Sequence, residues 1–376
     1  MVQLCNCFAV LRRLRLGNQC VFRGHIPLSN DLTPEAIREP AYIAPVESRS
    51  ENRLKVLDGW RALSILMVLA AHLFPLGPKI FNFNAPVAAG GMAIFFTLSG
   101  FLITRFLLDR PEPFPFLIRR FLRILPLAWL AMLALYFSSS SNSLDVLAAN
   151  LGFYANLPPA KFFPGGEHLW SLCVEIHFYV GVALLVALLG RRGLLLLPLI
   201  SIAVTAGRIY AGETISIVTW HRLDEILAGA IVALVYSKSF GELPARLMSR
   251  CNFYLCAIVA AACTYAFYEP LGYARPYAIA LMIGATLWQA PQWVKSILES
   301  RIAAYIATIS YALYVFHGML SHTWLGTGET LEKYAKRPLL LGLTWAAAHL
   351  STFYYEKRFI DLGRRFTKRG TQRSAT

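Results

Sequence analysis

The chain has 376 residues, of which 56% are hydrophobic and only 15% charged, with a mean hydropathy of +0.50 and a formal net charge of +15. This composition argues against a soluble globular protein, and the apolar residues form continuous runs rather than the short alternating segments of a membrane β-barrel. The sequence therefore predicts an all-α fold, a polytopic integral membrane helix bundle.

Ten apolar segments are predicted as transmembrane helices. In chain order they cover 56–76, 90–108, 124–138, 170–190, 194–212, 221–236, 252–269, 273–290, 302–321 and 338–356. Most of the 36 Lys and Arg residues fall in the two terminal segments and in alternate loops, on one side of the membrane. Because cytoplasmic loops collect positive charge, both termini are expected to be cytoplasmic. This topology accounts for the net charge, so nucleic acid is not expected as a partner.

The apolar region divides the chain into three parts: a flexible cytoplasmic tail at 1–53, a transmembrane domain at 54–360 and a basic cytoplasmic tail at 361–376. The first 50 residues lack the pattern of a secretory signal, and whether they belong to the natural protein stays open. The seven cysteines include Cys5 and Cys7 but no Cys-x-x-Cys pair. Neither a disulfide framework nor a metal site is expected.

The first predicted helix carries Asp58, Arg61 and His72 inside one apolar span. Ionisable groups in a membrane helix are costly and indicate function by default. Eleven steps of about 100° place Arg61 and His72 on nearly the same face, roughly 16 Å apart along the axis. Asp58 lies one turn before Arg61, where the two can pair. The alternative is structural: Arg61 extends to the headgroups and His72 is an interfacial polar residue.

The second helix contains Ser99-Gly100, and the basic segment after it contains Arg120 and Arg123. Small residues in a membrane helix favour close helix packing, which is the simpler explanation of Ser99. Two guanidinium groups one turn apart suit phosphate binding. Arginines that only set the topology are the alternative.

The fourth helix opens with His168-Leu-Trp-Ser-Leu-Cys-Val-Glu-Ile-His-Phe-Tyr179. Trp170 and Tyr179 are typical of interfacial anchors. Glu175 needs a partner or water, and its predicted depth is close to that of His72. A carboxylate that orients an imidazole is a common general-base arrangement.

Two further polar groups carry less information. Arg222 and Asp224 begin the sixth helix, where they are also explained as a charge-paired helix end. Tyr311 and His317 lie in the outer half of the ninth helix.

Taken together, these segments resemble the membrane-bound acyltransferase family 3, which includes O-acyltransferases of bacterial surface polysaccharides. The resemblance covers roughly 54–360 and rests on five ordered motifs. They are Leu-Asp-Gly-Trp-Arg with His72 after ten intervening residues, Phe-Phe-Thr-Leu-Ser-Gly-Phe-Leu-Ile at 95–103, Arg-Arg-Phe-Leu-Arg-Ile-Leu-Pro at 119–126, Trp-Ser-Leu-Cys-Val-Glu-Ile-His-Phe-Tyr at 170–179 and Ser-Tyr-Ala-Leu-Tyr-Val-Phe-His at 310–317. Trp60, Ala93 and His177 depart from the residues common in the family.

The resemblance implies a multi-pass protein of the bacterial cytoplasmic (inner) membrane that transfers an acyl group, commonly acetyl, from cytoplasmic acyl-CoA to a sugar hydroxyl of a surface polysaccharide or glycolipid. It implies that His72 is the general base and that Arg61, Arg120 and Arg123, with Asp58 beside them, contact CoA. Glu175 as the partner of His72 is an inference from depth. The remaining motif residues are expected to support the substrate or the structure: Ser99, Trp170, Ser171, Tyr179, Arg222, Asp224, Tyr311 and His317.

Several alternatives stay open. A transient acyl-histidine is a rival to direct transfer. A transporter or flippase of a lipid-linked saccharide is a rival function, although the broken, repeat-related helices that would favour it are not evident. Acylation of a small molecule is a third possibility. No permanently bound cofactor is expected, and the acceptor, the acyl group and the oligomeric state are not determined by the sequence.

Overall fold

The computed structural model describes residues 54–139, 143–265 and 269–373, with side chains described up to residue 367. All regular structure in these ranges is helical. The α-helices are α1 (Lys55–Leu73), α2 (Asn84–Asp109), α3 (Pro113–Ser138), α4 (Leu144–Leu151), α5 (Trp170–Leu189), α6 (Leu197–Ala211), α7 (Leu223–Tyr236), α8 (Glu242–Ser249), α9 (Phe253–Tyr265), α10 (Arg275–Gln289), α11 (Gln292–Leu298), α12 (Arg301–Ser321), α13 (Thr330–Ala335), α14 (Arg337–Leu350) and α15 (Lys357–Arg373). The predicted tail at 1–53, with Cys5 and Cys7, lies outside the described residues.

Five stretches of the described chain are long and apolar enough to cross a membrane: Lys55–Leu73, Asn84–Asp109, Pro113–Ser138, Glu167–Ala211 and Arg301–Ser321. The stretch Glu167–Ala211 contains two predicted spans, which meet at the 3₁₀ segment Gly190–Leu196. Helices α8 and α9 form a further candidate if they are counted together, although they are bent by 88°. These observations support a multi-pass membrane protein.

The predicted number of ten spans stays a prediction. Helices α7, α10 and α14 coincide with predicted spans but have only 14, 15 and 14 residues. At a rise of 1.5 Å per residue they are about 21 to 23 Å long, less than the ~30 Å of a hydrocarbon core. The sidedness of the termini is likewise a prediction.

The centre of the bundle is formed by α1, α2, α7 and α12, with α1 packed against both α2 and α12. Helices α2 and α7 approach closely at two glycines. A Cβ on Gly100 would overlap the carbonyl of Ile226, and a Cβ on Gly229 would overlap the carbonyl of Thr97. Small residues therefore permit this helix contact, as expected for Ser99-Gly100 from the sequence.

The predicted basic tail is helical over its described residues. Helix α14 continues through a π-helical turn at Ser351–Glu356 into α15, which packs against α3. Gly363 of α15 faces Leu122 and the backbone of Arg119. This contact brings α15 beside the basic segment of α3.

Candidate functional site

Helix α1 lines two cavities that contain predicted site residues, besides an apolar cavity walled in part by Trp60, Leu63 and Met67. The first has a volume of about 60 Å³ and is here called the arginine cavity. Helix α1 contributes Arg61, Ser64, Ile65 and Val68 to its wall. The other lining residues come from neighbouring helices: Met92, Phe95, Arg120, Arg123, Ile124, Leu172, Glu175, Tyr179, Ser310, Tyr311 and Tyr314.

A second basic cavity adjoins the arginine cavity on the side of α15. It has a volume of about 170 Å³ and shares Arg120 and Arg123 with the arginine cavity. Arg119 of α3 and Arg364 of α15 add two further guanidinium groups, and two phenylalanine rings and Ile360 complete the wall. Four arginines thus surround this cavity, here called the four-arginine pocket. Guanidinium forks in such a number favour a phosphorylated ligand.

The carboxy-terminal end of α1 lines a polar cavity of about 330 Å³, here called the histidine cavity. Ala71, His72 and Leu73 line it, and the side chain of His72 is exposed to it. Arg61 and His72 therefore line different cavities on the same helix. Val68 and Ala71, one turn apart, mark where one cavity ends and the next begins.

The hydrogen-bond partner of His72 is another histidine. Its Nδ1 lies 3.1 Å from Nε2 of His317. The two rings are nearly coplanar, at an interplanar angle of 9°, with centroids 5.2 Å apart. Because that separation is close to the N–N distance plus the two ring radii, the rings lie end to end in one plane. This arrangement is suited to a hydrogen bond between ring nitrogens rather than to face-to-face stacking.

The backbone determines which nitrogen of His72 carries the proton. Nδ1 of His317 lies 2.6 Å from the carbonyl oxygen of Tyr314, which can only accept, so neutral His317 carries its proton on Nδ1. Nε2 of His317 is then an acceptor and receives the Nδ1–H of His72. Nε2 of neutral His72 is left with a free lone pair, the requirement for a base at this position.

A third imidazole lies against this pair. The ring of His168 meets the ring of His317 edge to face, with centroids 5.0 Å apart, and its Nε2 lies 3.1 Å from the carbonyl oxygen of Val315. The hydroxyl of Tyr314 donates to the carbonyl oxygen of His168 and accepts from Ser171 at 2.7 Å. A Cβ at Gly318 would overlap the His168 ring, so this glycine provides the space that the ring fills.

The predicted pairing of Glu175 with His72 is wrong. The Glu175 carboxylate is 6% exposed, accepts from Ser99 at 2.7 Å and also accepts from the hydroxyl of Tyr179. On α5 it is Ser171, one turn before Glu175, that reaches the histidine cluster through Tyr314. Glu175 lies one turn further from the cluster and lines the arginine cavity instead.

Arg222 and Asp224 belong to a buried ion-pair network outside these three cavities. Asp224 pairs with Arg208, and Arg222 lies 3.3 Å from Glu225, which also pairs with Arg275 at 3.1 Å. These ion pairs agree with the explanation of the two residues as a charge-paired helix end. The guanidinium carbon of Arg222 lies 5.3 Å from the Trp170 ring centroid, which ties Trp170 to the same network.

Other predicted site residues have structural contacts in the described region. Tyr311 lines the arginine cavity and donates to the carbonyl oxygen of Ile124 at 2.7 Å, joining α12 to α3. His177, which departs from the family pattern, contacts the hydroxyl of Thr219 through Nδ1 at 2.7 Å. The pairing of Asp58 with Arg61 stays a prediction.

His168 was missed as a site residue, although it lies just before the fourth motif. One available signal was its position two residues before Trp170, on the predicted outer side of the membrane where His72 and His317 were also placed. The partnership of His72 with His317 could not be read from the chain, since 245 positions separate them.

Comparison with known proteins agrees with the motifs. A family model described as an acyltransferase domain matches residues 54–349. Similar proteins include the peptidoglycan O-acetyltransferase OatA of Listeria monocytogenes, 25% identical over 71% of this chain and 49% of the relative. "Putative membrane-bound transacylase BcsY" of Komagataeibacter xylinus is 27% identical over 71% of this chain and 72% of the relative.

A third relative, "Putative peptidoglycan O-acetyltransferase YrhL" of Bacillus subtilis, is 27% identical over 69% of this chain and 47% of its own length. The chain thus spans about half the length of OatA and YrhL. No solved structure matches the chain. The family match extends over most of the chain, from 54 to 349, and includes all five motifs, so the protein belongs to the membrane-bound acyltransferase family 3.

Proposed function

We propose that the protein is an O-acyltransferase of the bacterial cytoplasmic membrane that moves an acyl group, acetyl in the first instance, from cytoplasmic acyl-CoA to a hydroxyl of a polysaccharide or lipid-linked sugar. The observation that carries the proposal is the pair of cavities along α1. One is lined from Arg61 to Val68 and adjoins the four-arginine pocket, and the other contains His72. The names of the relatives, which include O-acetyltransferases, support the reaction class.

We assign the acyl-CoA donor to the four-arginine pocket and the adjoining arginine cavity. The phosphates of CoA would contact Arg119, Arg120, Arg123 and Arg364 in the four-arginine pocket, since guanidinium forks pair well with phosphate oxygens. The pantetheine arm would then run past Arg61 along α1. The roughly 16 Å from Arg61 to His72 is suited to an extended arm, which would bring the thioester to the imidazole.

His72 is assigned as the general base. Its Nε2 takes the proton of the acceptor hydroxyl as the hydroxyl oxygen attacks the thioester carbonyl. Collapse of the tetrahedral intermediate breaks the carbon–sulfur bond, and the departing CoA thiolate takes the proton from Nε2. The new ester and free CoA-SH are the products, and His72 returns to its neutral form. Throughout, the bond from Nδ1–H to His317 keeps the ring oriented.

The direct test is transfer of labelled acetyl from acetyl-CoA to cell-surface glycan, in a deletion strain that carries wild-type protein or His72→Gln. General-base catalysis contributes about 10²- to 10⁴-fold, so the variant should lose nearly all transfer. A stably expressed variant that acylates at the wild-type rate would refute the assignment.

Three alternatives are separated by related measurements. An acyl-histidine intermediate predicts labelled protein that accumulates without acceptor and disappears in His72→Gln. A saccharide flippase has no reason to bind labelled CoA in detergent. Acylation of a small molecule would leave the glycan unlabelled while acetyl-CoA is consumed by whole cells.

A further inference from the structure

The histidine cavity, where a sugar hydroxyl would meet the base, is lined by several positively charged residues. Lys79, Lys333 and Arg337 line it together with His72, and none of its lining residues in the described chain is acidic. Lys333 lies in α13, Arg337 is the first residue of α14, and Lys79 lies in the loop between α1 and α2. The basic groups therefore converge on this cavity from separate parts of the fold.

Arg337 differs from the two lysines because it is buried. The residue is 6% exposed, and its Nε and Nη1 have no hydrogen-bond partner among the described residues. The guanidinium carbon lies 5.8 Å from the ring centroid of Tyr334, which also lines the cavity. A buried guanidinium that lacks partners is costly unless an anion or ordered polar groups meet it.

Nearby carboxylates are engaged elsewhere. Glu332 pairs with the adjacent Lys336, which also donates to the carbonyl oxygen of Trp324 at 3.0 Å. Neither residue lines the histidine cavity. Arg337 therefore lines the cavity without a carboxylate of the lining to neutralise its charge.

We propose that Arg337 binds an anionic group, a carboxylate or a phosphate, belonging to the acceptor or to the lipid that presents it, so that the acceptor is held beside His72 by its charge. The inference rests on the proposed acyl transfer for its placement but is independent of the donor. A planar guanidinium receives either anion through two parallel hydrogen bonds. Lys79 and Lys333 would add to the attraction as mobile charges.

The test compares charged and neutral acceptors. Wild-type protein, Arg337→Gln, Arg337→Lys and the neighbouring control Lys336→Gln are placed in nanodiscs of phosphatidylcholine, alone or mixed with phosphatidylglycerol. The acceptors are a neutral gluco-oligosaccharide and the same oligosaccharide with one glucuronate residue. Acetyl transfer gives KM for each acceptor and for acetyl-CoA, and calorimetry without donor gives direct oligosaccharide binding.

A hydrogen bond to a charged group changes affinity by roughly 10- to 100-fold. The wild type should therefore bind the glucuronate oligosaccharide more tightly than the neutral one by about that factor, and Arg337→Gln should bind both alike. Arg337→Lys should retain part of the preference, because the charge stays and the fork is lost. Lys336→Gln should keep the full preference, and KM for acetyl-CoA should not change in any variant.

If the anion is the phosphate of an anionic lipid headgroup, which no choline group neutralises, the neutral acceptor should gain affinity in phosphatidylglycerol nanodiscs, and Arg337→Gln should abolish that gain. Equal binding of both acceptors by the wild type in both lipids would overturn the proposal. So would a preference that survives in Arg337→Gln. Charge-dependent binding that is lost in Arg337→Gln, without any acetyl transfer, would refute the proposed function while leaving this inference standing.

Discussion

Removing the acceptor atom of His317 should impair catalysis without impairing donor binding. In His317→Leu the Nδ1–H of His72 loses its partner at 3.1 Å. Two costs follow. The tautomer that leaves Nε2 unprotonated is no longer favoured by a hydrogen bond, and the imidazolium formed during transfer loses a bond to a charged group, which is worth about 1.5 to 3 kcal/mol. We expect kcat to fall about 10- to 150-fold, since each 1.36 kcal/mol is tenfold in rate.

The conservative variant distinguishes positioning from packing. In His317→Gln the side-chain oxygen can occupy the place of Nε2 and accept from His72, so most of the activity should return. His349 is a matched control, because its Nδ1 also makes one hydrogen bond, to Tyr305 at 3.0 Å, and it lines none of the three cavities. Replacing it with Leu should leave kcat within about twofold of wild type.

The assay is the initial rate of labelled acetyl transfer in nanodiscs, with kcat and the KM for acetyl-CoA determined separately. Thermal unfolding of each variant confirms that it is folded. Equal activities of His317→Leu and His317→Gln would refute the reasoning, because only one of them keeps an acceptor. A rise in KM for acetyl-CoA with unchanged kcat would also contradict it.

Three further outcomes follow from contacts elsewhere. Arg364→Ala should raise KM for acetyl-CoA several-fold, because Arg364 lines the four-arginine pocket. Its neighbour Arg365 is also exposed but does not line the pocket, so Arg365→Ala should leave KM unchanged; equal effects would remove α15 from the donor site. Gly229→Ala should lower the free energy of unfolding by ~1 to 3 kcal/mol, because the added methyl overlaps a backbone carbonyl. The control in thermal unfolding is Gly181→Ala, since a Cβ at Gly181 meets nothing within 4 Å. Glu175→Leu should destabilise the protein more than Glu175→Gln, since only Gln can still accept a hydrogen bond from Ser99. Indistinguishable melting temperatures of the two variants would argue against the hydrogen bond between Ser99 and residue 175.

Much of the site was predictable because it lies on one helix. The shared helix of Arg61 and His72 and their separation along its axis require only the period and rise of an α-helix. That the two residues line different cavities did not follow from the spacing. The family match to residues 54–349 confirms the resemblance drawn from five motifs. Paired arginines at 120 and 123 likewise lie together, in two cavities.

Contacts between helices were harder to predict. The partnership of Glu175 with His72 was inferred from depth alone, which assumes straight helices of equal tilt. One helical turn is about 5.4 Å, so a small error in tilt or in the starting residue moves a side chain to a different partner. Helix α5 begins at Trp170, and Ser171 rather than Glu175 reaches the histidine cluster. Arg337 belongs to none of the five motifs. Only its burial beside the histidine cavity distinguishes it from an arginine that sets the topology.

We propose that Nε2 of His72 is the base that activates the acceptor hydroxyl. Its most direct test is the single-turnover rate of acetyl transfer from bound acetyl-CoA, measured for wild type and His72→Gln at saturating donor and acceptor. If His72 is the general base, the variant should bind acetyl-CoA with wild-type affinity and transfer acetyl about 10²- to 10⁴-fold more slowly. Transfer at the wild-type rate by a folded His72→Gln protein would contradict it.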